Sequence, residues 1–224
     1  MEKLDKKDIQ KIRMMEYFIT ATVKIMEDEG IQNVTIRKVA DIAGYNSATI
    51  YNYFQEISHL IFFAAMTFLK KYYDALPKYI KSAANPLEKY ILIWECFCKF
   101  SFDEPETYHA IFIANLGIQA EDFQDYYTIF PKDIIDIPEE LMPMVLESNL
   151  SKRGRIALER SVKEGYIKAE NAEEINEMAT LVWTGMLTLF LNNRRNYTKE
   201  QVVRETMKYI RQIVLNVNYF DFRS

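Results

Sequence analysis

Along most of this chain the apolar residues recur three and four positions apart, and its β-branched residues form no alternating runs. That periodicity predicts an all-α fold. A first helix is expected over residues 5–29, with Ile9, Ile12, Tyr17, Ala21, Ile25 and Met26 as its stripe and Gly30 as its stop. Two short helices follow within residues 35–54. A long helix is expected over residues 58–82, with Leu60, Phe63, Ala64, Thr67, Phe68 and Tyr72 inward. Asn85-Pro86 marks the next start, Asn as cap and Pro at the first position. That helix carries Leu87, Tyr90, Ile91, Trp94, Phe97, Cys98 and Ser101 along one side. Glu95 falls on the other side, four residues before Lys99, as in a solvated ion pair. Pro105 opens a helix with Tyr108, Phe112 and Leu116 inward. Residues 117–137 are weakly patterned and read as a loop with short helical pieces. Residues 138–150 read as a short helix interrupted at Pro143, and residues 152–163 as another, ended by Gly165.

The last two predicted helices differ from the rest. Residues 173–193 carry apolar side chains on more than one face, from Ile175 and Met178 through Trp183 and Met186 to Leu191, so this helix should be covered on both sides. Small Gly185 allows a close helix approach. Thr198 caps the final helix, whose stripe is Val202, Met207, Ile210, Ile213 and Val217. Together they offer more apolar surface than one subunit covers, which predicts a homodimer through residues 173–217.

The stretch from Thr35 to Phe54 has the form of two helices joined by a tight turn. Ile36, Val39, Ala40 and Ala43 make one apolar face, Thr35 precedes it as a cap, and Gly44 suits the left-handed residue that ends a helix. Asn46 then caps a second helix running from Ser47 to about Tyr53. Its inner positions are Ile50 and Phe54. Ala48 and Asn52 point away from the core, with Thr49 and Tyr51 on the flanks. This is the layout of a helix-turn-helix, whose second helix fits the major groove of DNA.

The same stretch resembles the DNA-binding domain of the TetR family of transcriptional regulators. The resemblance begins at Ile19, Ala21 and Gly30, continues through Thr35, Val39-Ala40, Ala43-Gly44, Thr49-Ile50-Tyr51 and Phe54, and closes at Leu60. It departs at two positions: the family usually has Gly where Ala48 stands and a phosphate-binding Lys where Ile57 stands. The resemblance implies a DNA-binding domain over residues 1–57 and a helical ligand-binding and dimerisation domain over residues 58–224. It implies a homodimer paired through its last two helices, most simply a repressor, reading a palindromic operator and released by a small-molecule effector. Thr35 and Arg37 would contact phosphates. Tyr45, Asn46, Ser47, Ala48, Thr49, Tyr51, Asn52 and Tyr53 would form the reading surface. Within it, Tyr51 and Tyr53 can offer hydroxyls to phosphates, Asn52 can pair with adenine, and the methyl of Ala48 or Thr49 can touch a thymine methyl.

The charge balance qualifies this picture without overturning it. The net charge is −4, but residues 1–70 hold nine basic and nine acidic side chains, so the acidic excess lies in the remainder. Lys3, Lys6, Lys7, Lys11 and Arg13 make the amino-terminal end locally basic. A neutral reading domain implies modest non-specific DNA affinity. The only cysteines, Cys96 and Cys98, point ~200° apart on a helix and cannot bridge within the chain. Reduced thiols, a charged start without a signal-peptide core, and an uncharged run at residues 178–193 shorter than the ~20 residues of a membrane span predict a cytoplasmic protein.

Catalytic chemistry has little to draw on. There is no GxxxxGK[ST] loop and no GxSxG elbow. Both histidines occur as Glu-x-x-His, Glu56 with His59 and Glu106 with His109. Two such motifs build the di-iron site of ferritin-like bundles, so a helical metal enzyme is the rival expectation. Against it, Glu56 lies at a helix start and Glu106 in a first turn, where acids sit for dipole reasons. A non-enzyme with no cofactor or metal is expected. A binding module without DNA affinity is a further alternative, resting on Ile57 alone. The aromatic group Trp94, Phe97, Tyr108, Phe112 and Trp183 is either plain core or the lining of an effector cavity; the resemblance favours the cavity.

Overall fold

The computed structural model describes residues 6–114, 116 and 120–219, and among them there are helices and turns but no strand. The first helix, α1 (Lys6–Glu29), packs on α2 (Ile36–Ala43) and on the long α4 (Ile57–Ile80), with the short α3 (Ser47–Ile50) against α2. Then follow α5 (Pro86–Asp103), α6 (Pro105–Phe112), α7 (Ala120–Ile129), α8 (Met142–Leu146), α9 (Leu150–Lys163), α10 (Ala169–Leu191) and α11 (Lys199–Tyr219). Helix α5 sits at the centre of the second part, touching α4, α9 and α11, while α10 packs between α9 and α11.

Side-chain caps fix several of these starts. Asn85 accepts from the Glu88 N–H at 2.9 Å ahead of Pro86. At α11 the capping is reciprocal: Thr198 Oγ1 accepts from the Gln201 N–H at 3.2 Å and Gln201 Oε1 from the Thr198 N–H at 2.8 Å. Each such bond satisfies a backbone donor that a helix start leaves without an intrahelical partner.

Several segments differ from the sequence expectation. In α1 the expected Ile9 and Tyr17 are exposed, and Met15 and Phe18 are buried instead. Helix α4 is not one-sided: Phe62, Phe63, Ala64, Ala65 and Met66 are buried in succession, so the helix runs through the interior, and Thr67 is only half-buried. The weakly patterned stretch contains a full helix, α7, because Phe123, Tyr126 and Tyr127 fall three and four apart and all are buried. Pro143 does not interrupt a helix; it sits in the first turn of α8, where its missing N–H costs nothing, and the break comes at residues 147–149. Asn149 then caps α9 by accepting from the Lys152 N–H at 3.0 Å.

Helices α9 and α10 meet unusually closely at Gly154. A Cβ there would lie 1.9 Å from Asn176 Oδ1. Asn176 is buried, and its Nδ2 donates to the Ser151 carbonyl at 2.6 Å. On the opposite side, α10 and α11 leave apolar surface uncovered within one chain. Leu181 is 63% and Leu215 57% exposed, and nothing stands within 4 Å of a Cβ added at Gly185. Met186 points inward and is buried. Both cysteines are free and buried; burial pushes the Cys96 thiol up to about 12 and raises that of Cys98 as well. No helix among the described residues is long and apolar enough to cross a membrane.

Candidate functional site

The helix-turn-helix of α2 and α3 is assembled from local bonds. Thr35 Oγ1 accepts from the Lys38 N–H at 3.3 Å and starts α2. Gly44, at φ 75°, ends it, and the Tyr45 N–H reaches back to the Ala40 carbonyl at 3.0 Å. A side chain at that positive φ would strain the backbone, so glycine fits here. Asn46 Oδ1 accepts twice from Thr49, from its N–H at 2.9 Å and its hydroxyl at 3.0 Å. Tyr45 and Tyr53 both pack on Phe18 of α1, with ring centroids 5.5 and 5.8 Å away, which fixes the turn against the first helix. The Lys38–Glu29 ion pair at 2.6 Å ties α2 to the end of α1.

What this leaves outward is short and specific. Regular helix ends at Ile50 instead of Tyr53; Tyr51, Asn52 and Tyr53 continue as a turn, with the Phe54 N–H bonded to the Ile50 carbonyl at 3.0 Å. Ala48, Tyr51 and Asn52 are exposed, as are Thr35, Arg37, Tyr45 and Asn46, while Ser47, Thr49 and Tyr53 are half-buried. Because the Thr49 hydroxyl is engaged by the cap, its methyl is the part left for a partner. Arg37 is exposed and makes no ion pair among the described residues. Ile57, where the resemblance expects a phosphate-binding Lys, opens α4 half-buried and packs against the core.

The two Glu-x-x-His pairs are not brought together into a metal centre. His59 stands edge-on to Phe54 and Phe63 and faces Asp122 at 3.6 Å. Burial lowers its pKa, with Asp122 and Asp125 pulling the other way. Among the described residues no group of three or more His, Cys, Asp or Glu is placed to hold a metal ion.

The five aromatic residues expected at an effector cavity do come together. Phe97 is the hub, with ring centroids 5.7 Å from Trp94, 5.4 Å from Tyr108, 5.5 Å from Phe112 and 5.1 Å from Trp183. Trp183 donates its indole N–H to Ser101 Oγ at 2.9 Å. The open space lies to one side of this cluster. A narrow cavity of about 20 Å³, room for one water, is bounded by Trp94 and Phe97 together with Tyr72, Tyr90, Met144 and Arg153. Tyr108, Phe112 and Trp183 pack behind it. Ile93, Met144 and Ala157 border both this cavity and a larger surface groove of about 520 Å³ between α5, α8 and α9.

Arg153 is the residue the sequence reading missed. It is only 3% exposed. Its guanidinium lies over the rings of Tyr73 and Phe112, at 5.8 and 5.5 Å. Nη1 donates to the Val145 and Glu147 carbonyls, both at 3.1 Å, and reaches the Tyr73 hydroxyl at 3.4 Å. Nη2 has no partner, and no Asp or Glu among the described residues pairs with the charge. Removing such a charge from water costs several kcal/mol when no counter-charge restores it. The hydroxyls of Tyr90 and Tyr108 are also buried and without partners; burial raises both phenols, so they remain neutral donors.

A packed aromatic path joins the helix-turn-helix and the cavity. Phe54 touches Phe63 at 5.7 Å, Phe63 touches Tyr126 at 5.5 Å and Tyr126 touches Tyr127 at 5.3 Å. The Tyr127 hydroxyl donates to that of Tyr73 at 3.0 Å, and Tyr73 meets Arg153.

Compared with known proteins, residues 18–62 match the family model described as bacterial regulatory proteins, tetR family. No curated protein sequence matches the chain. Among solved structures the chain is similar to a putative TetR-family transcriptional regulator from Syntrophomonas wolfei, at 13% identity over 93% of this chain and 98% of that one, with a TM-score of 0.60. It is similar to Thermus thermophilus FadR, a TetR-family repressor solved with lauroyl-CoA, at 13% identity over 92% and 95%, TM-score 0.59. It is similar also to RolR, solved with resorcinol, at 13% identity over 93% and 96%, TM-score 0.59. At such identities the likeness is one of fold, and it runs nearly end to end.

Proposed function

We propose that this TetR-family transcriptional regulator is a homodimeric repressor that reads a palindromic operator and leaves it when a small molecule enters the second domain. The observation that carries this is the outer face of α3 and the turn after it. Asn52, Ala48 and Tyr51 stand exposed on a head whose own caps are already satisfied by Thr35 and Asn46. Polar groups needed for the local fold are used up, and those left over face outward. One head per subunit, over residues 1–57, would enter the major groove of one half-site. Leu181, Gly185 and Leu215 supply the uncovered surface for pairing within residues 173–217.

The effector would sit in residues 58–224, beside Trp94 and Phe97, with Tyr108, Phe112 and Trp183 as its packed wall. Structures of the same fold hold lauroyl-CoA and resorcinol. Two arrangements of the aromatic path from Arg153 to Phe54 would carry the signal, and an effector shifts them only by binding one more tightly. Half-site reading tolerates little error in the separation of the two heads, so a small tilt of α4 suffices.

The test is selection of DNA from a random pool by the purified chain, followed by titration of the enriched sequence. A palindromic consensus is expected, and Asn52→Ala should lose ~1–3 kcal/mol of discrimination at one base pair per half-site while retaining its fold. Enrichment of no sequence, or unchanged discrimination in the variant, would sink the assignment of this face.

A further inference from the structure

We propose that the effector is an organic monocarboxylate with an apolar body, and that Arg153 holds its carboxylate at the inner end of the cavity between α4, α5 and α9. The proposal deepens the effector reading above and rests on it.

Three observations lead there. Arg153 is a buried cation with no carboxylate beside it among the described residues, and its Nη2 has no partner while Nη1 is fully used. A guanidinium stays charged at any physiological pH, so it cannot relieve this by losing its proton. The hydroxyl of Tyr90, on the same cavity, is a second donor, its proton without an acceptor. Nη2 and Tyr90 thus offer N–H and O–H donors, and no carboxylate lines the cavity. Finally, apart from Tyr72 beside Arg153, the remaining wall is apolar, with Ile93, Trp94, Phe97 and Met144. One positive charge, N–H and O–H donors, no negative charge and a mostly apolar wall match a single anionic head on an apolar body. A cationic ligand would be repelled, and a neutral one would leave the charge uncompensated.

Access is from the groove between α5, α8 and α9. Met144 is its flexible border, and an ion pair of Lys89 with Glu140 at 2.7 Å stands on the groove. The cavity as it stands has room for one water, so the ligand enters by displacing Met144 and Ile93, its tail lying outward along the groove. Arg153 also ties α8 to the interior through the carbonyls of Val145 and Glu147, and it meets Tyr73 on α4. A carboxylate that draws the guanidinium inward therefore pulls on both elements at once, which links occupancy to the helix that carries the heads.

The test uses the full chain and matched probes: decanoate against decanol, and phenylacetate against phenethyl alcohol. Both tryptophans of the chain lie in this cluster, so their fluorescence reads the site directly. The acids are expected to bind ~10–100-fold more tightly than the alcohols, the range for a charged hydrogen bond. Arg153→Met should abolish the preference. Tyr90→Phe, which removes one oxygen and keeps the ring, should reduce it and serves if the first variant does not fold. Equal binding of acids and alcohols, no binding of either acid, or an undiminished preference in folded variants overturns the proposal. DNA binding is measured separately. Release of the operator by the alcohols alone sinks the carboxylate and leaves the regulator standing. Acid binding by a chain that selects no DNA does the reverse.

Discussion

Replacing Gly154 by Ala should destabilise the chain although it improves the helix. Inside an α-helix Ala is favoured over Gly by about 1 kcal/mol. Against that, the new methyl would stand 1.9 Å from Asn176 Oδ1, and the three nearest atoms all belong to that amide. The amide must turn away, breaking its bonds to the Ser151 carbonyl and hydroxyl at 2.6 and 3.2 Å. A buried amide left unsatisfied costs ~1–3 kcal/mol, and steric strain between α9 and α10 adds to it. The net effect should be a loss of ~1–2 kcal/mol once the propensity gain is subtracted. In an Asn176→Ala background the obstruction is gone, and the same glycine substitution should stabilise by about 1 kcal/mol. The assay is denaturant unfolding of the four proteins of the cycle at one fixed concentration, since the proposed dimerisation would make stability concentration-dependent. A stabilising effect of Gly154→Ala in the parent chain, or the same effect in both backgrounds, would refute the close approach as its cause.

Other perturbations separate the remaining parts. Arg37→Gln should weaken binding to all DNA sequences about equally and reduce the salt slope by ~1, as expected for a lost phosphate contact; a change confined to one base pair would contradict that. Gly185→Glu places a charge on the uncovered face of α10 and should give monomer in sedimentation, whereas a dimer of parental stability would move the interface elsewhere. Burial holds the folded-state pKa of His59 below its ordinary 6.5, so stability is full above about pH 6.5 and declines as the pH falls below it. His59→Phe should flatten that part of the stability profile; an unchanged slope in unfolding titrations would place its origin in other groups.

The helix ends were legible because they are local chemistry. Asn85-Pro86, Thr198 with Gln201, and Thr35 with Gly44 each declare a boundary within four residues, and each is found bonded as expected. The interior was less legible. Helix α4 reads as amphipathic because its charged residues cluster toward Lys70, yet its middle is enclosed on all sides by tertiary neighbours. Helix α7 hid because exposed Gln124 and Asp125 break up the apolar run, although Phe123, Tyr126 and Tyr127 hold helical spacing. Arg153 was hidden by its surroundings in the chain: Lys152 and Arg155 beside it suggest a solvated face. Its register was the available signal, since it falls in line with Leu150, Ala157 and Ser161, on the side of α9 turned inward.

The buried thiols have a practical consequence. Thiol-reactive labels attack the thiolate, and Cys96 and Cys98 are both enclosed and held protonated far above neutral pH. The native chain should therefore be silent to such labels while folded. A single Glu27→Cys change on the exposed side of α1 would then be the sole reactive site per subunit. Spin labels at that position in a dimer would form one pair, and pulsed electron resonance would give the distance between the two heads, with and without ligand, without removing either native cysteine.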